Sequence, residues 1–203
     1  MAPIRCPDDN AYEAAMIRHP SHRPSRMGLL GFGSRDPIAD ALGRRLDDDW
    51  HWFRHVATAG PEPIDAVCVG PGGTWVITMA GARGRFTRRN GHWYRWNPST
   101  ESWVPWDPTP ITAARLSAQR LSLYLERAGL PATVTGVLLP PPDMSVETAP
   151  TEPMGVLVER EPDRISALMV ADAVLSQPQV DRIVALLDPR QPLPRLAPST
   201  PNG

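Results

Sequence analysis

Lysine is absent from this chain of 203 residues, so all 21 of its fixed basic side chains are arginines. An arginine side chain keeps its proton and cannot serve as a base, and a phosphate-binding P-loop needs a lysine after its last glycine, so both are excluded. Cysteine is scarce. Cys6 stands in a proline-rich stretch and Cys68 inside an apolar run. Nothing in their pattern pairs them, and a reducing compartment, the cytoplasm, is the expected location. No segment approaches the roughly 18 apolar residues of a membrane span, and the N-terminus carries no stretch of signal-peptide type, so no membrane partner is expected. A formal net charge of −1 gives no whole-molecule attraction to nucleic acid or to an anionic membrane, so any such contact must be local.

Proline, in contrast, is in excess: there are 25, concentrated toward the two ends. Residues 1–26 mix Pro, His, Arg and acids without apolar periodicity and read as a flexible leader. Residues 189–203 (PRQPLPRLAPSTPNG) read as a disordered proline-rich tail. The part between, 27–188, has the length and composition of one α/β domain with a core of ordinary size.

Within that domain the punctuation is regular. Ser34 is the expected cap of a helix carrying Ile38, Ala41, Leu42 and Leu46, ended by Asp47, Asp48 and Asp49. Residues 52–58, 64–69 and 74–79 are β-branched and apolar runs separated by Gly and Pro, and predict three consecutive strands. Asn90-Gly91 between two strand-like arms predicts a hairpin with a type I′ turn, pairing Arg88 with Trp93 and Arg85 with Trp96. Thr109-Pro110 starts and Gly129 stops a helix with Ile111, Ala114, Ala118, Leu121 and Leu125 on one face. Strands over 133–139 and 155–158 follow. Two closing helices hold Ile165, Leu168, Met169 and Ala173, then Val180, Ile183, Val184 and Leu187 behind a cap at Ser176. The expected fold is a central mixed β-sheet of about five strands flanked by helices.

The stretch PEPIDAVCVGPGGTWVITMAGARGRF carries the most chemical information. It sets Asp65 on a strand, then a tight glycine turn, then a strand running back. A metal-dependent nuclease core built this way takes an Asp from the first strand and an acid and a Lys, two residues apart, from the second. That spacing brings both second-strand side chains out on one face. The carboxylates hold Mg²⁺, which polarises the phosphate and the attacking water, while the Lys stabilises developing charge.

IDAVCVGPGGTWVITMAGARGRF resembles the pattern of the nuclease-related domain family, NERD, of the PD-(D/E)xK nuclease superfamily: Ile-Asp, a hydrophobic run, Gly-Pro-x-Gly, a second hydrophobic run, Glu-x-Lys, then Gly. The resemblance covers roughly residues 28–187 and implies a restriction-endonuclease-like core. Asp65 matches the first acid. The family's Glu falls on Thr78 and its Lys on Ala80, and neither replacement can do the original work. Upstream, Gly33-Ser34 stands where the family has Gly-Glu; downstream, Asp107-Pro108 and Ile111 replace Asn-Pro and Gln. Asp65 is then expected to make local hydrogen bonds, a relic cation ligand being the alternative. Asp36, Asp40, Glu62 or Arg83 are the nearby groups from which a relocated site could be rebuilt, with Mg²⁺ as cofactor; otherwise no cofactor is expected.

Other signals are weaker. Gly70-Pro71-Gly72-Gly73 reads as a hairpin turn rather than a phosphate cradle, and Gly31-Phe32-Gly33 lacks the third glycine of a dinucleotide fingerprint. His51 and His55 have zinc-like spacing without the Glu of a metalloprotease motif, and with His19 and His22 they read as surface or packing residues. Arg83, Arg85, Arg88, Arg89 and Arg95 interleave with Phe86, Trp93, Tyr94 and Trp96, with no acid between Ala66 and Thr100. Cation–π pairing across the hairpin accounts for them, and contact with a nucleic-acid strand is the functional alternative. Trp103 and Trp106 are expected to pack the following loop onto the sheet. The sequence therefore points to a catalytically degenerate module that binds or scaffolds a nucleic-acid or protein partner, against an active nuclease with relocated residues.

Overall fold

A computed structural model describes residues 15–20, 36–58, 62–148, 155–188 and 190. The elements in chain order are β1 (Ile17–Arg18), α1 (Pro37–Leu42), β2 (His51–Val56), β3 (Ile64–Gly70), β4 (Gly73–Thr78), β5 (Gly84–Arg89), β6 (His92–Asn97), β7 (Ser102–Pro105), α2 (Thr109–Arg127), β8 (Val134–Leu138), β9 (Met144–Thr148), β10 (Leu157–Val158), α3 (Pro162–Met169) and α4 (Gln177–Leu187). They form an α/β fold with mixed β-sheets and flanking helices.

The β2–β3–β4 meander follows from the alternation of its side chains. Ala66 and Cys68 of β3, with Trp75 and Ile77 of β4, face one layer that includes Leu42 of α1 and Ile165 and Met169 of α3. Val67, Val69 and Val76 face the other, against Ala118, Leu121 and Leu125 of α2 and Val180, Ile183 and Leu187 of α4. β8 then lies parallel to β4, from Thr74↔Val134 to Thr78↔Leu138, through the α2 crossover. Ile111, Ala114, Ala118, Leu121 and Leu125 of α2 are all buried, and Gly129 leaves the helix at φ +65.

Two sheets form where the sequence suggests one. Among the described residues the main sheet has six strands, ordered β1-β2-β3-β4-β8-β10, and a second has four, ordered β7-β6-β5-β9. The predicted hairpin sits in the second. Its partners are β7 and β9, and β9 pairs with β5 from 60 residues away, Gly84↔Met144. A third core layer of Phe86, Ile111, Ala114, Leu138, Met144 and Val156 joins the two sheets through α2.

Other expectations change in detail. The cap of α1 is Asp36, whose Oδ1 accepts from the N–H groups of Ile38 (3.1 Å) and Ala39 (3.2 Å), while Ser34 lies outside the described residues. The helix ends at Leu42, and Leu46 is buried from the following turn. α3 stops at Met169, leaving Leu168 exposed and Ala173 beyond the helix. The N–H and the hydroxyl of Ser176 both donate to Gln179 Oε1 at the start of α4. Within the 1–26 segment, β1 runs parallel to β2 and Met16 is buried, so this part belongs to the fold. The rest of that segment and the tail beyond residue 190 lie outside the described residues.

The Gly-Pro-Gly-Gly turn is tight because its surroundings leave no room. A Cβ on Gly72 would stand 1.6 Å from the carbonyl oxygen of Met169, and one on Gly70 would stand 2.3 Å from the Trp50 ring. The Pro71 carbonyl accepts from the N–H groups of Val174 and Leu175 (2.8 and 2.9 Å), closing the turn under the α3–α4 connection. No helix among the described residues is long and apolar enough to cross a membrane.

Candidate functional site

The antiparallel register of β3 and β4 includes Ala66↔Ile77, and one step further along it sets Asp65 across from Thr78. Residues directly opposite share a face of the sheet, and Ala80 follows two positions on. The scaffold thus sets Asp65 and Thr78 opposite one another, while Ala80 lies past the end of β4. Their chemistry differs from that of a metal centre. Asp65 is half-buried, and its Oδ2 accepts a hydrogen bond from the N–H of Met79 at 2.9 Å. Thr78 is 5% exposed, and its hydroxyl has no partner among the described residues. Ala80 offers a methyl group, packed against the third core layer.

On the opposite face of the sheet, where Trp52 and Arg54 pair with Cys68 and Ala66, lies a polar cluster that the sequence alone does not assemble. Asp36 Oδ2 accepts from the indole N–H of Trp52 at 3.0 Å and lies 3.4 Å from Arg54 Nη1. The same Nη1 is 3.4 Å from Met79 Sδ. Asp36 therefore meets two backbone donors, an indole and a guanidinium. His55 adds local strain: it takes a left-handed φ of 52 between the pairs Arg54↔Ala66 and Val56↔Ile64.

The other groups from which a site could be rebuilt are held elsewhere. Asp40 pairs with Arg18 at 2.7 Å, and Arg83 with Asp143 at 2.9 Å. Glu62 is exposed, and its backbone carbonyl accepts from Arg120 at 3.0 Å. Among the described residues no group of three or more His, Cys, Asp and Glu is placed to hold a metal ion. Mg²⁺ takes about six oxygen ligands in near-octahedral geometry. One carboxylate already accepting an N–H bond, a buried hydroxyl and a methyl group do not fit that demand.

The arginine-rich hairpin has the predicted register, with Arg88↔Trp93 paired and Phe86↔Arg95 beside it. Asn90 (φ 51) and Gly91 (φ 80) take the left-handed conformations that a type I′ turn requires. Arg85 lies over the Trp96 ring, 5.8 Å from its centroid, as expected across the hairpin. Trp103 carries more of this surface than its reading as a loop residue suggested. It is a β7 residue opposite Trp96, the two rings meet edge-on at 5.3 Å, and Arg85 and Arg89 lie over it at 5.9 and 5.3 Å. Arg85 also pairs with Glu147 of β9 at 3.1 Å. Trp106 instead packs on Phe86, ring centroids 4.1 Å apart, and edge-on to Trp93 at 6.0 Å. Arg83, Arg85, Arg89 and Arg95 are exposed, while Arg88, Trp93 and Trp96 are half-buried.

The histidines separate. His51 meets His19, Nδ1 to Nε2 at 3.1 Å, and His22 lies outside the described residues. Burial lowers the pKa of both paired rings. Cys68 is a free, fully buried thiol whose pKa burial pushes far up, so it is no nucleophile.

No curated protein and no solved structure matches this chain. A family model described as the nuclease-related domain matches residues 31–140, a shorter span than 28–187, which covers the β2–β3–β4 meander, the arginine hairpin, α2 and β8. That match takes in more than half of the sequence, and the chain belongs to the nuclease-related domain family.

Proposed function

We propose that this nuclease-related module is a catalytically degenerate member of the PD-(D/E)xK group, a pseudoenzyme that binds or scaffolds a partner in the cytoplasm and needs no metal cofactor. The observation that supports this most is the pairing of Asp65 with the Met79 N–H, opposite the uncharged Thr78 and near Ala80. In-line attack on a phosphodiester through this cluster needs two anions for the metal and a cation for the developing charge. The trio supplies one anion, already engaged. Asp36, Asp40 and Arg83 are engaged in ion pairs of their own, which speaks against a relocated centre. Titration calorimetry with Mn²⁺ on the full chain tests the reading. The expected trace shows no binding that depends on Asp65; a tight site lost in Asp65→Ala would sink it.

A second reading is favoured by the Arg85, Arg89, Trp96 and Trp103 surface. It presents guanidinium groups and aromatic rings on one sheet face, the combination that holds phosphates and stacks bases. On this reading the module binds a nucleic-acid strand without cutting it. Fluorescence anisotropy with a labelled single strand would then give steeply salt-dependent binding, weakened in Arg89→Ala and Trp103→Ala. Absence of binding at low salt would leave a protein partner as the occupant.

A further inference from the structure

β1 lies at the edge of the main sheet, parallel to β2. The N–H groups of Ile17 and His19 donate to the carbonyls of Trp50 and Trp52 at 2.8 and 2.9 Å, and Met16 N–H donates to Leu46 at 3.1 Å. Arg18 reaches Asp40. Side chains add two further ties: Met16 is buried in the core, and His19 stacks on Phe53, centroids 4.1 Å apart and 12° from parallel, with its Nε2 meeting His51 Nδ1.

Two facing imidazole nitrogens can share one hydrogen bond only while at least one ring is neutral, because a protonated ring offers donors alone. We propose that β1 is a pH-released strap, seated while at least one ring of the His19–His51 pair is neutral and let go when both rings are imidazolium ions. This device is independent of whether the module binds or cuts. Double protonation puts two donors and two like charges at 3.1 Å, beside the buried Phe53 ring. Both rings titrate below the ordinary histidine range, first because burial disfavours the charged form and, for His19, because His51 adds repulsion. The charged groups acting on the pair are Asp49 before β2, Asp181 and Asp188 at α4, and Arg190 beyond it; the acids oppose the lowering without cancelling it. Release frees the backbone edge of β2 and withdraws Met16 from the core, where its sulfur lies 4.0 Å from the Cys68 thiol.

Hydrogen exchange of the full chain, followed by mass spectrometry and corrected for intrinsic rates, reads this directly. From about pH 7.5 to about pH 4, through and below the ordinary histidine range, protection of residues 15–20 is expected to fall about tenfold or more while residues 64–78 stay protected. His51→Gln keeps a hydrogen-bonding group without the second charge, and its strap protection should lose the pH dependence; His19→Gln serves equally if that variant folds poorly. In a Cys6→Ser background, Cys68 should gain reactivity toward a pyridyl disulfide over the same range. Unchanged protection of 15–20, loss shared equally by 64–78, or pH dependence surviving in the glutamine variants would each overturn the proposal.

Discussion

The N–H of Met79, at the exit of β4, donates to Asp65 Oδ2 at the start of β3 across 2.9 Å. A carboxylate that a nuclease of this layout gives to a cation here closes the open end of a β-meander. Hydrogen bonds to charged groups contribute about 1.5–3 kcal/mol, and half-burial puts this one near the lower end. Asp65→Ala should cost about 1.5 kcal/mol by urea unfolding, and Asp65→Asn, which retains an acceptor oxygen, less.

Asp36 acts at two levels, as the cap of α1 and as the counter-ion of Arg54. Loss of an N-cap side chain costs about 0.5–2 kcal/mol, and removing one partner leaves a partly buried guanidinium unmatched. Asp36→Ala should therefore destabilise more than Asp36→Asn, which keeps the cap. Equal losses by urea unfolding would show that the cap contributes nothing, and an unchanged Asp36→Asn variant that the Arg54 ion pair contributes nothing.

Gly72 has no space for a side chain, since its Cβ would meet backbone rather than a movable group. Gly72→Ala should cost more than the roughly 1–3 kcal/mol typical of overpacking, because the α3–α4 connection must lift to admit it. A wild-type melting temperature would contradict this packing.

Arg89 and Trp103 form an exposed cation–π contact at 5.3 Å, of a kind that contributes about 0.5–1 kcal/mol. A double-mutant cycle should return a coupling of about that size. A coupling near zero would leave this face free of internal constraint.

The paired histidines also set a pH dependence. Their folded pKa values lie below the ordinary value of about 6.5, so the unfolded chain takes up protons first. Their stabilisation is present above that pH and is lost as pH falls through the lowered folded values. Urea midpoints should therefore fall between about pH 7 and pH 5 in the wild type and less in His51→Gln.

What could be read in the sequence was local. Asn90-Gly91 fixed the hairpin because its turn chemistry lies in two residues, and the α2 face followed from its spacing. The facing of Asp65 and Thr78 follows from strand alternation about a short glycine turn. The second sheet could not be read that way, since β9 reaches β5 from 60 residues along the chain and its apolar–polar alternation, Met144 to Glu147, spans only four residues after a run of prolines. β1 was hidden for a similar reason, as two residues among prolines and histidines that form a strand only because β2 offers an edge. Asp36 and Arg54 meet through tertiary packing, 18 positions apart. Trp103 reads as a loop residue in the sequence because a four-residue strand is too short to show alternation.

The most direct test is a side-by-side cleavage assay of the full chain and its Asp65→Ala variant, on plasmid and single-stranded DNA, with Mg²⁺ or Mn²⁺. The expected result is intact substrate in every lane, indistinguishable from the protein-free control. Cleavage by the wild-type chain that requires the metal and disappears with Asp65 would contradict the degenerate assignment.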